Sequence, residues 1–272
     1  MKNKTSNYRP LVYLGISFGW TWICWIGGYY LSTSGGQELL LDANIFQTLK
    51  LIINGNSFFP QLLFTLGVYG PAIGFLILSK AKKKFFSLKK SKFLSLAIII
   101  PIVIVIPTAL MSAVFLENAI TTNFKEVFLM TIPIYFLSNF LTSGTEEMGW
   151  RGYLFHYFRE KEKSFWDVSW KGGLIWAAWH YPLMFFMYRE QGIFVLIPTV
   201  IGFTAGIVAM NYIINFVYEK TQSIPVAMGM HALNNTMSFI VLLFFPSTPL
   251  IIITHVAAWM VVGYLEKKHK LT

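Results

Sequence analysis

The sequence predicts an all-α, polytopic membrane protein with about eight transmembrane helices. Hydrophobic residues make up 55% of the 272 residues and charged residues only 12%, whereas soluble domains carry about 25% charged residues. A helix needs about 20 predominantly apolar residues to cross a bilayer, and the chain contains eight apolar segments of roughly this length. They lie at residues 11–31, 59–79, 93–116, 127–146, 172–188, 192–211, 224–245 and 248–265.

Two of these segments have unusual features. The fifth, 172–188, is short and contains Pro182, which predicts a kink because proline cannot continue the helical hydrogen-bond pattern. The fourth, 127–146, is expected to continue as a helix into the charged stretch that follows it. The connection at 32–58 is predicted to be an external loop, and the aromatic and charged residues at 155–163 predict a helix extension or an interfacial segment.

Basic residues are distributed unevenly between the connections. With the N-terminus inside, 19 of the 22 Lys and Arg residues fall on the cytoplasmic side of the predicted spans, and only Lys50, Lys125 and Arg189 fall outside. Cytoplasmic loops are typically rich in Lys and Arg, so both termini are predicted to be cytoplasmic. This topology accounts for the net charge of +10, and a nucleic-acid partner is not expected.

The chain is expected to form a single integral membrane domain over residues 1–272, with a motif-bearing catalytic core at 127–245. The first apolar segment lacks a signal-peptide cleavage pattern and is therefore expected to be retained as a span. The single cysteine, Cys24, excludes an intrachain disulfide and a cysteine-rich metal cluster. The composition, rich in Lys, Asn, Phe and Ile, is typical of a protein from a low-GC bacterium, located in the cell membrane.

Three ionisable residues, Glu146, Glu147 and Arg151, lie at and just beyond the end of the fourth apolar segment. Charges beside lipid are costly, so they are usually paired or functional. Glu147 and Arg151 are four residues apart and share a helix face, which predicts an ion pair. Glu146 points about 100° away, so its carboxylate can face a cavity. The alternative is a set of helix-end charges that extend to the lipid headgroups.

Two further segments carry polar groups at a similar predicted depth. His180 lies in the fifth segment, and His231 and Asn235 share one helix face of the seventh because they are four residues apart. Each of them alone is also explained by a hydrogen bond between helices. Together with Glu146 they predict a polar catalytic cavity within the membrane that opens to the cytoplasmic side. His255 has no polar partner at helical spacing and is interpreted as a packing residue.

These side chains permit two hydrolytic mechanisms. In one, Glu146, His180 and His231 bind zinc and leave one position for water. In the other, Glu146 is the general base for water with help from His180, while His231 and Asn235 donate hydrogen bonds to the oxyanion. An asparagine amide suits the second role and is a poor zinc ligand, which favours the mechanism without metal. The sequence lacks both the His-Glu-x-x-His and the Gly-x-Ser-x-Gly patterns of other proteases.

The order and spacing of these residues resemble the three motifs of the CPBP family, the CAAX protease and bacteriocin-processing (Abi) family of intramembrane proteases. The motifs are Glu146-Glu147-x-x-x-Arg151, Trp176-x-x-x-His180 and His231-x-x-x-Asn235. The resemblance implies that Glu146 activates water with the help of His180, that His231 and Asn235 form the oxyanion site, and that Glu147 and Arg151 order the first motif. The family commonly has phenylalanine at the position of Trp176, a difference expected to affect packing alone.

The predicted function is that of an intramembrane endopeptidase that cleaves a peptide or membrane-protein substrate near the cytoplasmic face. Maturation of a peptide, bacteriocin self-immunity and regulated cleavage of a membrane protein are the expected contexts, and the prenylated CAAX substrate of some family members is not assumed. One alternative is a proton-coupled transporter that uses the same Glu and His residues as a proton relay. Another is a catalytically silent immunity protein that retains the motifs.

Overall fold

The computed structural model describes residues 8–37, 39–41, 50, 53, 58–79, 93–115, 127–245 and 252–269, and these residues form helices and no strand. The lysine-rich connection at 80–92 and most of the predicted external loop at 32–58 lie outside the described residues. The all-α, polytopic fold predicted from the sequence is confirmed.

The first three helices form one packed unit. Helix α1 is Pro10–Ser34 and begins with a proline, which is tolerated in the first turn because an N–H there has no helical partner. Helix α2, Phe58–Leu66, is joined to α3, Gly70–Leu78, by the short 3-10 turn Gly67–Tyr69, and both pack along α1. Gly70 permits this close approach, since a Cβ atom there would overlap the backbone carbonyl of Ser17.

The fourth predicted span is an almost continuous helical path from residue 127 to residue 161. It comprises the π-helical turn Val127–Thr131, α5 at Ile132–Leu141, the 3-10 turn Ser143–Thr145, α6 at Glu146–Gly149, the π-helical turn Trp150–Leu154 and α7 at Phe155–Lys161. The path is interrupted at Thr142, whose dihedral angles (φ −110°, ψ −95°) are not helical. The prediction that this segment continues as a helix beyond Glu146 is confirmed.

The remaining helices follow the predicted segments, with a break in the fifth. Helix α8, Phe165–Trp179, and α9, Tyr181–Tyr188, are separated at His180, and Pro182 lies in the first turn of α9. The kink predicted from Pro182 is therefore present. Helix α4, Leu96–Phe115, lies earlier in the sequence, between α3 and α5. After α9 the chain continues with α10 at Ile193–Thr221, α11 at Ile224–Phe244 and α12 at Ile252–His269.

Five helical stretches of the described chain are long and apolar enough to cross a membrane: Pro10–Ser34, Phe58–Leu78, Leu96–Phe115, Ile193–Thr221 and Ile224–Phe244. The other three predicted spans are also helical, but two are divided by breaks. The eighth predicted span corresponds to α12, whose last turn contains the charged residues Glu266, Lys267 and Lys268. The number of eight membrane crossings therefore stays a prediction.

Exposed apolar and buried polar side chains are distributed as expected for a protein in lipid. Large apolar side chains point outward along the helices, and Leu11 and Phe194 are 82% and 92% exposed. Such an extensive apolar surface is unusual for a soluble monomer. Glu147 and Arg151, in contrast, are fully buried, so the bundle interior encloses charge.

Candidate active site

The Glu147–Arg151 pair predicted from helical spacing is present in the centre of the bundle. Arg151 Nη1 lies 2.7 Å from Glu147 Oε2, and both side chains are fully buried. Arg151 Nη2 also donates a hydrogen bond to Asn211 Oδ1 (2.9 Å), and Asn211 Nδ2 donates to the Ser169 carbonyl (2.6 Å). These bonds connect the first motif to α10 and α8. Charges this deeply buried do not extend to the headgroups, so that alternative is wrong.

Glu147 has a second partner that the sequence did not reveal. Its Oε1 lies 2.8 Å from His231 Nδ1 in helix α11. A carboxylate only accepts hydrogen bonds, so Nδ1 of His231 carries a proton and Nε2 is the nitrogen left for other partners. A carboxylate in this position fixes the tautomer and the orientation of an imidazole. No spacing rule connects residues 84 positions apart in the sequence.

Glu146 is held by two tryptophan side chains. Its Oε2 accepts hydrogen bonds from Trp176 Nε1 (2.7 Å) and from Trp150 Nε1 (3.3 Å). The expectation that Trp176 affects packing alone is therefore wrong. Trp150 was missed, although its position four residues after Glu146 places it on the same helix face, and that spacing could have identified it.

His180 lies at the break between α8 and α9. Its Nδ1 is 2.9 Å from the Trp176 carbonyl oxygen. Because a carbonyl only accepts, Nδ1 is the donor there and Nε2 is left to face other groups. The ring also meets the edge of the Trp179 ring, with centroids 4.6 Å apart.

Asn235 contacts the turn that precedes the first motif. Its Nδ2 donates a hydrogen bond to Ser143 Oγ (3.1 Å), and Ser143 Oγ donates to the Asn139 carbonyl (3.2 Å). Ser143 is thus a further polar residue of the site, and nothing in its sequence surroundings marked it. The packing interpretation of His255 agrees with its position against Gly206, where a Cβ atom would overlap the imidazole.

A cavity of about 360 Å³ brings the four predicted catalytic residues together; its lining includes Glu146, His180, His231 and Asn235. Glu147 and Arg151 lie behind this surface. The other walls are mostly apolar and aromatic, with Trp25, Phe64, Leu183 and Phe203 among them. Leu40 and Leu41, from the chain between α1 and α2, line it as well, and the buried Gln61 amide pairs with both the N–H and the carbonyl of Leu40 (3.0 and 3.1 Å).

The side chains proposed as zinc ligands do not fit a zinc site in this geometry. Among the described residues, no three His, Cys, Asp or Glu side chains are arranged so that they could hold a metal ion.

The fold and the site define a helical, multi-pass membrane protein that encloses a carboxylate, two imidazoles and an amide in one cavity. In such a cavity a carboxylate can act as general base for a water molecule, and imidazole and amide groups can donate hydrogen bonds to an oxyanion.

Comparison with known proteins places this site in a family context. Residues 127–237 match the family described as type II CAAX prenyl endopeptidase Rce1-like, and this region contains all six predicted site residues. The chain is also 27% identical, over 247 residues, to CAAX prenyl protease 2 of Methanococcus maripaludis, an alignment that covers 84% of this chain and 83% of the relative. The resemblance predicted from the motifs is confirmed: the chain is similar to membrane proteases of the CAAX type, and these matches support an intramembrane endopeptidase.

Proposed function

We propose that this protein is an intramembrane endopeptidase in which Glu146 activates water for attack on a peptide bond. The observation that carries the proposal is the convergence of four polar side chains on one cavity from three parts of the chain: Glu146 from α6, His180 from the break between α8 and α9, and His231 and Asn235 from α11. Three unrelated interhelical contacts would not need to share a cavity.

Glu146 is suited to the role of general base. Both of its hydrogen bonds within the described chain reach Oε2, so Oε1 is available to water. Oε1 takes a proton from the water as the water oxygen bonds to the peptide carbonyl carbon. When the C–N bond breaks, the same proton passes to the leaving amine. His180, with Nδ1 held by a carbonyl, directs Nε2 to the water and assists its alignment.

His231 and Asn235 provide the donors for the oxyanion of the tetrahedral intermediate. Glu147 holds Nδ1 of His231 and so fixes the orientation of the imidazole, which donates from Nε2 when both ring nitrogens carry a proton. The Asn235 amide has two N–H bonds, of which one reaches Ser143 and the other is available to the substrate oxygen. Removal of one such donor typically lowers kcat about 10²–10³-fold.

The substrate is a peptide or a segment of a membrane protein, because the cavity walls are largely apolar and the surroundings are lipid. The relative's name refers to a prenylated CAAX sequence, which is one candidate substrate. Peptide maturation and bacteriocin self-immunity are the others. The proposed setting is a bacterial cell membrane with both termini in the cytoplasm and with cleavage near the cytoplasmic face, and the proposed reaction needs no metal.

The test is cleavage by the purified protein in liposomes, with a panel of peptides that includes a prenylated CAAX peptide and unprenylated membrane segments. Glu146→Gln is expected to lower turnover by at least about 10², the usual contribution of a general base. Glu219→Gln is the matched control, since Glu219 pairs with Arg159 (2.9 Å) outside the cavity. Equal cleavage by the wild type and Glu146→Gln would overturn the proposal.

A metal requirement is tested on the same sample. Activity is expected to survive treatment with a chelator, because the proposed reaction uses side chains and water alone. Loss of cleavage that zinc restores would instead establish the zinc mechanism.

A further inference from the structure

Trp176 has the strongest contact with the carboxylate of Glu146. Its Nε1–O distance of 2.7 Å is shorter than the 3.3 Å from Trp150. Bonds from N–H to a carboxylate in this range are charge-assisted and stronger than neutral ones. The basic side chains nearby bind a different carboxylate, since Arg151 and His231 both contact Glu147. In the part of the chain that the structure describes, the indoles are therefore the donors that orient Glu146.

An indole is chemically suited to hold a catalytic base. Its N–H donates but cannot accept, so it cannot compete for the proton that a base must take up. Both indole bonds reach Oε2. The two oxygens of Glu146 therefore differ in their environment: Oε2 is held by the protein, and Oε1 is left for water.

The indole of Trp176 is itself fixed by the other motifs. The guanidinium of Arg151 lies over the ring at 4.9 Å from the centroid, and the His231 ring meets it edge-on at 5.2 Å. The backbone carbonyl of Trp176 accepts the bond from His180 Nδ1. With 2% exposure, this residue contacts members of all three motifs from one buried position.

We infer that Trp176 is a positioning residue for hydrolysis: its indole N–H holds Glu146 so that Oε1 faces the water. This inference rests on the proposed function and adds a specific role for one side chain within it. The ring alone would serve packing, and the role depends on the N–H.

The kinetic test is Trp176→Phe, which keeps a ring against Arg151 and His231 but removes the donor. Trp170→Phe is the matched control, because Trp170 lies on the same helix outside the cavity lining and its N–H also donates to a carboxylate, Asp167 Oδ1 (2.9 Å). We expect Trp176→Phe to lower kcat roughly 10- to 100-fold, as for loss of a hydrogen bond to a charged group, with KM changed less than about threefold. Trp150→Phe, with its longer bond, should have a smaller effect.

A second test does not depend on activity. The indole N–H resonances of the nine tryptophans are recorded by nitrogen-15 NMR of the protein in micelles and assigned from the single Trp→Phe variants. Glu146→Gln should move the Trp176 resonance, because it removes the charge from the acceptor, and should leave that of Trp170, which lies outside the cavity lining, in place.

The results separate this inference from the proposed function. If Glu146→Gln is inactive while Trp176→Phe matches Trp170→Phe in kcat, the inference is overturned and the proposed function stands. An unmoved Trp176 resonance in Glu146→Gln overturns it as well. If Glu146→Gln cleaves as fast as the wild type, the proposed function fails, and the role of Trp176 fails with it.

Discussion

Removal of the buried charge of Arg151 should destabilise the protein more than removal of the whole Glu147–Arg151 pair. Arg151→Met deletes the 2.7 Å ion pair and the 2.9 Å hydrogen bond to Asn211, and it leaves Glu147 buried with His231 as its remaining partner. Breaking a buried pair on one side typically costs about 3–5 kcal/mol. At roughly 2–4 °C per kcal/mol for a chain of this size, Tm should fall by about 10 °C.

Glu147→Gln removes the charge of the other partner, and a double variant with both substitutions removes the whole pair. The glutamine oxygen still accepts from His231 Nδ1, but the amide no longer neutralises Arg151. In the double variant both charges are gone and the methionine fills part of the space, so its Tm should lie above the value expected from adding the two single losses. The difference should correspond to a coupling of about 1–3 kcal/mol, as for residues in direct contact.

The assay is thermal unfolding in one detergent, followed by tryptophan fluorescence, for the wild type, both single variants and the double variant. Size-exclusion profiles before heating show whether each variant is folded at the start. Strictly additive losses in Tm would refute the reasoning, because they would mean that Glu147 and Arg151 do not stabilise each other.

Two further predictions concern packing and orientation. Gly149→Ala should lower Tm by about 5 °C or more, because its Cβ atom would overlap a tyrosine hydroxyl and a proline carbonyl. Gly229→Ala is the control: its Cβ atom would meet nothing within 4 Å, so Tm should be unchanged or slightly higher. Equal Tm values for the two variants would contradict the prediction. The second prediction is tested by placing a cysteine at Gln37 or at Lys161, both exposed positions, in a variant that lacks the natural Cys24. An impermeant thiol label should reach the cysteine at position 161 from the cytoplasm and the cysteine at position 37 from the opposite side of the membrane. Labelling of both from the same side would show that the predicted topology is wrong.

Local contacts of the site could be predicted from the sequence, because helical periodicity determines them. The spacing of Glu147 and Arg151 predicted their ion pair, and the angle between neighbouring residues predicted that Glu146 faces a cavity. The shared cavity of His180 and His231 followed from their similar depth in two apolar segments. These inferences need only the geometry of single helices and the thickness of the bilayer.

Contacts between helices could not be predicted, since they depend on how each helix is rotated about its axis. The bonds from Trp176 to Glu146 and from Glu147 to His231 are of this kind. The length of the helical path beyond the fourth segment could not be predicted either. It continues to Lys161, and the charges of Glu147 and Arg151 within it are paired inside the bundle.

The first motif carries an initial partner for each glutamate one helical turn further along the same chain. Glu147 meets Arg151, and Glu146 meets Trp150, both at a spacing of four residues. During synthesis, this segment can therefore enter the bilayer before α8 and α11 are in place. The charge of Glu147 is then already paired with Arg151, and Glu146 already accepts a hydrogen bond from the Trp150 indole. The insertion cost of intramembrane charge is thereby reduced within a single helix. Trp176 and His231 then reach the two glutamates as α8 and α11 dock, so the hydrogen bonds of the candidate site form together with the contacts between these helices.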